Sequence, residues 1–268
     1  MPGDAVSPGD VVSGDAGRLR HVEESMGTVF SFDIRGAQDE ARVRAGLRAA
    51  VASLHRVDEV FSPFRPDSQI MRLGRGELAL SDCVTEIPEV LDLCTRAERE
   101  SDGWFTTGYG GGLDPTGLVK GWAVERAVRM IASSGAASVC LNGGGDVQLL
   151  GGPWRVGIAD PLHPGELAMV IETREGPGVA TSGPAERGCH VLDPRTGEAP
   201  VDALASITVV CREGLTMADA RATAAYAMGE RARDWLEALP GAEGFAITTD
   251  GGTWKTSGFH RYAAKLNA

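Results

Sequence analysis

The chain has 268 residues, of which 43% are hydrophobic, a content that can form the core of a large domain and argues against intrinsic disorder. Its 37 acidic residues outnumber its 26 basic ones and give a formal charge of −11, which argues against nucleic acid as a partner. The five cysteines are scattered without the spacing of a zinc site or a redox pair, so we interpret them as small core residues in a reducing compartment.

The beginning of the chain is rich in Gly, Asp, Ser and Pro, a composition typical of mobile segments. We predict a mobile N-terminal arm over residues 1–20 and a single domain over residues 21–268. The arm has no basic region followed by an apolar run, so it does not have the pattern of a secretory signal. Since no stretch approaches the roughly 18 apolar residues of a membrane span, we expect a soluble, cytoplasmic protein that is not embedded in a membrane.

Helix and strand patterns are mixed along the rest of the chain. Residues 30–34 alternate like a half-buried strand, and residues 43–61 carry an apolar stripe at helical spacing. Further helices are predicted at 86–100, 118–134, 215–228 and 231–239. Further strands are predicted at 137–142, 146–152, 154–160, 167–173, 178–182, 190–193, 205–211 and 244–249. Because these elements do not repeat regularly as βαβ units, the sequence favours an α+β fold over a doubly wound sheet.

A carboxylate and a hydroxyl share one face of the predicted helix at 215–228. Asp219 and Thr223 lie four residues apart, so their side chains point to the same side. Hard oxygen ligands of this kind suit Mg²⁺, which usually takes one or two protein carboxylates and completes its shell with water and substrate phosphates. The alternative is that Asp219 is only a favourable charge in the first turn of the helix.

The loop before the helix at 118–134 has the features of an anion site. Asp114, Pro115 and Gly117 open directly into the helix, which places Lys120 in its first turn beside backbone N–H groups. A solvated surface lysine is the alternative interpretation. Three consecutive glycines at 143–145 permit a close approach of the backbone to a ligand, although they equally suit a tight turn. They do not form a dinucleotide fingerprint, because the GxGxxG spacing is absent.

A histidine lies at the head of the strand predicted at 190–193. His190 is followed by the turn-forming residues Asp193, Pro194 and Gly197. An imidazole titrates near neutrality, so it can take a proton from a hydroxyl nucleophile at cellular pH. A purely structural histidine is the alternative.

Seven segments resemble, in the same order, the sequence blocks of the ApbE-type flavin transferases, which are FAD:protein FMN transferases. The resemblance covers roughly residues 26–255. The segments are MGTVFSFDI, FSPFRPDSQI, LDPTGLVKGWAVERA, LNGGGDVQLLGG, WRVGIADP, ATSGPAERGCHVLDPRTG and TMADARATAAYAMG.

This resemblance implies a two-lobed α+β protein with mixed or antiparallel sheets, FAD in the cleft between the lobes, and Mg²⁺ on the pyrophosphate. The implied reaction cleaves FAD, releases AMP and joins FMN through a phosphoester to a Thr or Ser hydroxyl of an acceptor protein.

By matching position, the resemblance also implies roles for individual residues. The residues that would contact the nucleotide are Met26, Phe64, Trp104, Phe105, Thr106, Asp114 and Lys120. The ligands of the metal would be Asp219, Thr223 and the carbonyl oxygen of Gly117. His190 matches the histidine that is proposed in the family to deprotonate the acceptor hydroxyl. The chain departs from the family at Phe64, where Tyr is frequent, and at Thr106, where Asp is common.

Two other functions stay open at the level of the sequence. A FAD pyrophosphatase would use water in place of the protein hydroxyl and release FMN and AMP. A non-catalytic FAD-binding module would hold FAD without turnover, and the loss of Asp219, Thr223 or His190 would favour it. All three residues are present.

Overall fold

One antiparallel sheet contains most of the strands. The computed structural model describes residues 11–13, 17–108, 112–184, 191–200 and 204–264. In chain order the strands of this part are β1 (Val11–Ser13), β2 (Arg18–Ser25), β3 (Thr28–Arg35), β4 (Ser138–Gly143), β5 (Asp146–Leu150), β6 (Trp154–Ala159), β7 (Leu167–Thr173), β8 (Gly178–Ser182), β9 (Leu204–Cys211), β10 (Ala242–Thr248) and β11 (Thr253–Lys255). The sheet has the order β1-β2-β3-β4-β5-β8-β9-β10-β11, and β6 pairs separately with β7.

The helices pack on this sheet and on one another. They are α1 (Glu40–Phe61), α2 (Gln69–Gly74), α3 (Glu86–Glu100), α4 (Thr116–Ser133), α5 (Leu215–Met228) and α6 (Ala232–Ala238), with short 3-10 helices at Leu80–Asp82, Gly229–Arg231 and Ser257–Arg261. Helices α4 and α5 contact each other, and α5 also contacts β8 and β9. Neighbouring strands pair antiparallel, so the predicted α+β fold is confirmed.

Buried apolar residues line both faces of the sheet. Along β9, Val209 belongs to the larger group, which includes the buried faces of α1, α4 and α5, and the next residue, Val210, belongs to a smaller group with β6, β7 and β10. Successive side chains of a strand point to opposite faces, so the two groups lie on opposite sides of the sheet. This explains why all eight residues of β9 are buried.

Strand structure begins earlier than the domain boundary at residue 21 that we predict. β1 and the first residues of β2 fall within the predicted arm. β2 pairs with β3 along its whole length, from Arg18 opposite Arg35 to Ser25 opposite Thr28. Its buried residues are Leu19, His21 and Ser25, which lie on the same face, so the strand has a core-facing side.

The prediction of a strand at 190–193 is wrong for residues 191–193, which are the ones that the structure describes. Residues 191–193 lie outside any strand, and His190 falls outside the described residues. The carboxylate of Asp193 accepts the backbone N–H of Arg195 at 2.8 Å, and the carbonyl of Asp193 accepts the N–H of Gly197 at 2.7 Å. These local hydrogen bonds form a turn, and they use groups that a strand would direct at a neighbouring strand.

Helix α5 is buried over all of its 14 residues, and its N-terminus is capped by side chains from other elements. Gly214 precedes the helix and has no side chain to cap it. Instead, Glu125 of α4 accepts both the backbone N–H of Thr216 at 2.9 Å and its hydroxyl at 2.5 Å, and Gln148 of β5 accepts the N–H of Leu215 at 2.7 Å. The first turn of α5 is thereby held on α4 and β5.

We expect Glu125→Ala to lower the free energy of unfolding by about 1–3 kcal/mol, the range for leaving a buried hydrogen-bond donor without its acceptor. Chemical denaturation followed by circular dichroism measures this. The exposed Glu98 of α3 provides the control, because surface substitutions usually change stability by less than about 0.5 kcal/mol. Equal stability of the two variants would contradict the capping role.

A buried cation further anchors α5. Arg221 is bound to Glu100 of α3 at 2.7 Å and to Glu213 at 2.6 Å. Burial disfavours the charge of Arg221, but these carboxylates outweigh it and raise the pKa of the guanidinium. The helix is therefore tied to α3 as well as to α4 and β5.

The four cysteines of the described residues are free thiols. Burial raises the pKa of both Cys94 and Cys140 to about 12, so these thiols stay protonated near neutral pH. Cys94 and Cys211 are buried, as the prediction of core residues expects, whereas Cys83 and Cys140 are half-buried and Cys189 lies outside the described residues. None of the helices in the described part of the chain has the length and apolar character needed to cross a lipid bilayer.

Candidate functional site

Two adjoining cavities bring together most of the residues that the sequence singles out. The first, of about 280 Å³, is the polar cavity, and its lining includes Phe105, Thr106, Asp114, Gly117, Lys120, Asp219 and Thr223. The second, of about 330 Å³, is the apolar cavity, and its lining includes Met26, Val57, Phe61, Pro63 and Phe64. Asp114, Thr116 and Lys120 line both cavities, so the first turns of α4 form their junction.

Two predicted residues are not part of this described lining. Trp104 lies in neither of the two cavities and is half-buried, with the guanidinium of Arg195 4.2 Å from the centre of its ring. This cation–π contact joins the segment before α4 to the turn at 193–197. His190 lies outside the described residues, although the next residue, Val191, lines the polar cavity.

Helices α4 and α5 cross closely at the wall of the polar cavity. A Cβ atom added to Gly121 would lie 2.8 Å from the Cβ of Asp219, and one added to Gly117 would lie 3.5 Å from the hydroxyl oxygen of Thr223. The two glycines are one helical turn apart on α4, as are Asp219 and Thr223 on α5. The small residues therefore let the backbone of α4 approach the carboxylate and the hydroxyl directly.

The carboxylate of Asp219 also makes a hydrogen bond that the sequence does not indicate. Its Oδ2 accepts the backbone N–H of Gly121 at 2.9 Å. In a regular helix that N–H is directed at the carbonyl oxygen of Gly117. The backbone N–H of Gly121 thus joins α4 to the carboxylate of Asp219 on α5.

The start of α4 is organised by Asp114. Its Oδ1 accepts the backbone N–H of Thr116 at 2.9 Å, which satisfies one of the donors at the helix N-terminus. Three residues after Asp114, Gly117 begins the close contact with α5. Asp114 thus shapes the junction of the two cavities besides lining it.

Lys120 is held by a carboxylate that the sequence analysis missed. Its Nζ forms an ion pair with Oδ2 of Asp146, and the two side chains are 14% and 1% exposed. Asp146 is the first residue of β5 and comes directly after the three glycines. The only sequence signal for Asp146 was its position directly after the three glycines. We interpreted those glycines only for the close approach or tight turn that their backbone permits.

The end of β8 completes the polar cavity. Thr181, Ser182 and Gly183 line it, and the backbone N–H of Thr181 donates to Oδ1 of Asp146 at 2.9 Å. No sequence pattern indicated a role for these residues. Thr181 and Ser182 are also held by the pairing of β8 with β9, where they lie opposite Thr208 and Ile207.

The apolar cavity is formed by the turn between β2 and β3 and by the end of α1. Met26 occupies that turn with a φ of 49°, in the left-handed region, and is followed by Gly27 with a φ of 67°. Two successive positive φ angles are typical of the tightest hairpin turns. Phe64 also lines this cavity and has 92% of its surface exposed, so its ring is available to a ligand.

A comparison with family models matches the ApbE family over residues 26–111 and 106–246. The chain belongs to the ApbE family. Two curated relatives carry the name FAD:protein FMN transferase. The protein from Rhodobacter capsulatus is 35% identical over 155 residues, which are 53% of this chain and 29% of the relative. The protein from Escherichia coli K12 is 27% identical over 157 residues, which are 54% of this chain and 44% of the relative. These matches span less than half of each relative.

Solved structures show the same fold over nearly the whole chain. The ApbE protein of Thermotoga maritima has a TM-score of 0.82 at 20% identity, and covers 92% of this chain and 100% of its own. The flavin transferase ApbE of Vibrio cholerae has a TM-score of 0.77 at 20% identity, with 94% and 100% covered.

Proposed function

We propose that this chain is a Mg²⁺-dependent FAD:protein FMN transferase. It would bind FAD in a cleft between two lobes, cleave the pyrophosphate, attach FMN to a Thr or Ser hydroxyl of an acceptor protein and release AMP. The observation that carries the proposal is the polar cavity, where the oxygens of Asp219 and Thr223 and the ammonium of Lys120 line one space. Two relatives named for this activity support it.

The metal ligands in this proposal are the carboxylate of Asp219, the hydroxyl of Thr223 and the carbonyl of Gly117. All three would be hard oxygen donors of the kind that Mg²⁺ prefers, and the proposal is supported by the fact that Gly117, Asp219 and Thr223 line the same cavity where α4 and α5 cross closely. Bound there, the ion would neutralise charge on the pyrophosphate and on the leaving AMP. The described residues contain no group of three or more carboxylate, imidazole or thiol side chains that could hold a metal, so the ligand's own oxygens and water would complete the shell.

The remaining residues would bind and orient FAD. Lys120, at the junction of the cavities, would contact the phosphates, and Asp114 would bind the nucleotide beside it. The apolar cavity would take the flavin, with Met26 and the exposed ring of Phe64 against it. Transfer reactions of this type depend on positioning and on charge neutralisation more than on covalent help from the protein.

His190 is the proposed general base. It would take the proton of the acceptor hydroxyl as the hydroxyl oxygen bonds to the phosphorus of the FMN half, and the bond from that phosphorus to the oxygen of AMP breaks. His190 directly precedes Val191, which lines the polar cavity. The remaining predicted FAD contacts are Trp104, Phe105 and Thr106, of which the last two line the same cavity.

The test is to incubate the purified protein with FAD, Mg²⁺ and a lysate of the host, and to look for flavin fluorescence on a protein band in a denaturing gel. A fluorescent band together with AMP is expected. Free FMN and AMP without a band would instead favour the FAD pyrophosphatase. Intact FAD and no band would contradict any enzymatic function under these conditions and favour a binding module.

FAD should bind at least about tenfold more tightly than FMN in the presence of Mg²⁺, which corresponds to about 1.4 kcal/mol. The physical reason is that the polar cavity serves a pyrophosphate and a metal in addition to the flavin. Fluorescence titration of both ligands measures the ratio. Equal affinities would show that the polar cavity contributes nothing to recognition.

A further inference from the structure

A buried carboxylate beside the polar cavity has no part in the reaction described so far. Asp146 is 1% exposed, its Oδ2 is paired with Nζ of Lys120, and its Oδ1 accepts the N–H of Thr181 at 2.9 Å. One side chain thus joins the start of β5, the second turn of α4 and the end of β8. Burying a carboxylate is costly unless it is paired and hydrogen-bonded, and here the hydrogen bond is made by Oδ1 whereas Oδ2 has the ion pair with Lys120.

The choice of lysine at position 120 is unusual for this chain. Only three of its 26 basic residues are lysines, at positions 120, 255 and 265, and the rest are arginines. An ammonium is a compact charge on a flexible stem, whereas a guanidinium is a planar fork that fixes its own geometry. Because the lysine stem is flexible, its ammonium stays at one position only if a fixed partner binds it.

Of the two ion-paired residues, only Lys120 reaches the cavities. Lys120 lines both the polar and the apolar cavity, whereas Asp146 lines neither of them. The carboxylate is consequently behind the ammonium, and the ammonium faces the space that the pyrophosphate would occupy. Through the N–H of Thr181, the same carboxylate also holds the strand end that brings Ser182 to the wall of the polar cavity.

We infer that Asp146 is a positioning residue that acts through Lys120, holding the ammonium at the junction of the two cavities so that it meets a diphosphate group. The inference rests on the proposed function for the identity of that diphosphate as part of FAD. The ion pair itself can be tested without it. Asp146→Asn is the suitable variant, because it retains an oxygen for the N–H of Thr181 and removes only the charge.

The first measurement is the reactivity of the lysine amines toward acetic anhydride, followed by mass spectrometry. Lys255 is exposed on β11 and provides an internal reference. In the wild type, Lys120 should react more slowly than Lys255, since its ammonium is ion-paired and only 14% of its side chain is exposed. In Asp146→Asn the ratio should rise several-fold, because the amine loses the carboxylate that holds it. An unchanged ratio would overturn the inference.

The second measurement is a double-mutant cycle on the dissociation constant of FAD and on AMP release. Asp146→Asn should weaken FAD binding about tenfold in the wild-type background and less than about twofold in the Lys120→Met background, since a residue that acts through Lys120 has no effect without it. Equal effects in both backgrounds would show a merely structural role and overturn the inference. Asp33→Asn is the matched control, because Asp33 pairs with Arg18 and Arg35 away from both cavities and should leave FAD binding unchanged.

Thermal melts accompany each variant. If Asp146→Asn does not fold, Asp146→Ser, which also lacks the charge and retains a hydroxyl oxygen, replaces it in both measurements. A wild-type protein that neither binds FAD nor releases AMP would contradict the proposed function, while the amine-reactivity ratio would still decide whether Asp146 holds Lys120.

Discussion

Asp219→Asn should reduce Mg²⁺-supported AMP release by roughly 10²-fold or more, the scale for losing one electrostatic contact to a transition state. Asp219 supplies the only formal charge among the three proposed metal ligands. Asparagine has nearly the same shape and can still accept the N–H of Gly121, which donates to Asp219 at 2.9 Å. Asp219→Ala would leave that buried donor without the carboxylate and lower the stability as well, by about 1–3 kcal/mol. AMP release at several Mg²⁺ concentrations, beside a thermal melt, measures both effects.

Thr223→Val distinguishes the loss of a neutral metal ligand from the loss of the negative charge of Asp219. It removes a neutral ligand and preserves the shape of the side chain, so its effect on AMP release should be milder than that of Asp219→Asn. A folded Asp219→Asn protein with full activity at limiting Mg²⁺ would refute the proposed metal site. It would support the alternative that Asp219 serves only the helix and its contact with Gly121.

His190→Ala should retain FAD binding and lose about 10²–10⁴-fold of the transfer rate, the range for general base assistance. The substitution removes the proposed proton acceptor and leaves the ligands of FAD in place. Fluorescence titration measures the binding, and the flavinylated acceptor measures the transfer.

His163 provides the matched control, because it is an exposed histidine that pairs with Asp160 in a loop. His163→Ala should transfer FMN at the wild-type rate. An active His190→Ala protein at neutral pH would assign the proton transfer to another group, and loss of FAD binding in that variant would indicate a role in holding the nucleotide instead.

Local sequence patterns predicted much of the fold. The apolar stripe of α1 and the alternation of β3 are properties of neighbouring residues, so they are readable without tertiary information. The pairing of Asp219 with Thr223 on one face of α5 follows in the same way from helical periodicity. The prediction of a strand was wrong at 191–193, where a turn begins at Asp193 and is closed by its local hydrogen bonds to Arg195 and Gly197.

The partners of the site residues could not be predicted in this way. Asp146 and Lys120 are 26 residues apart and meet because β5 lies beside α4 in the folded chain. Glu125 caps α5 from a helix 91 positions away, and Gly121 donates to Asp219 across 98 positions. Such contacts depend on the packing angle and register of elements that are distant in the sequence. The helical or strand periodicity of neighbouring residues does not determine these quantities.

The amino-acid sequence by itself determined the α+β class, the order of the family's blocks, and the hydroxyl and carboxylate on one face of α5. Tertiary structure alone decided that α4 approaches α5 closely enough for Gly117 and Gly121 to contact them, and that a buried carboxylate holds Lys120 at the junction of two cavities. The physical reason is that propensity and periodicity act over a few residues. The position of an ion pair or of a shared hydrogen bond is set by how whole helices and strands pack around the core.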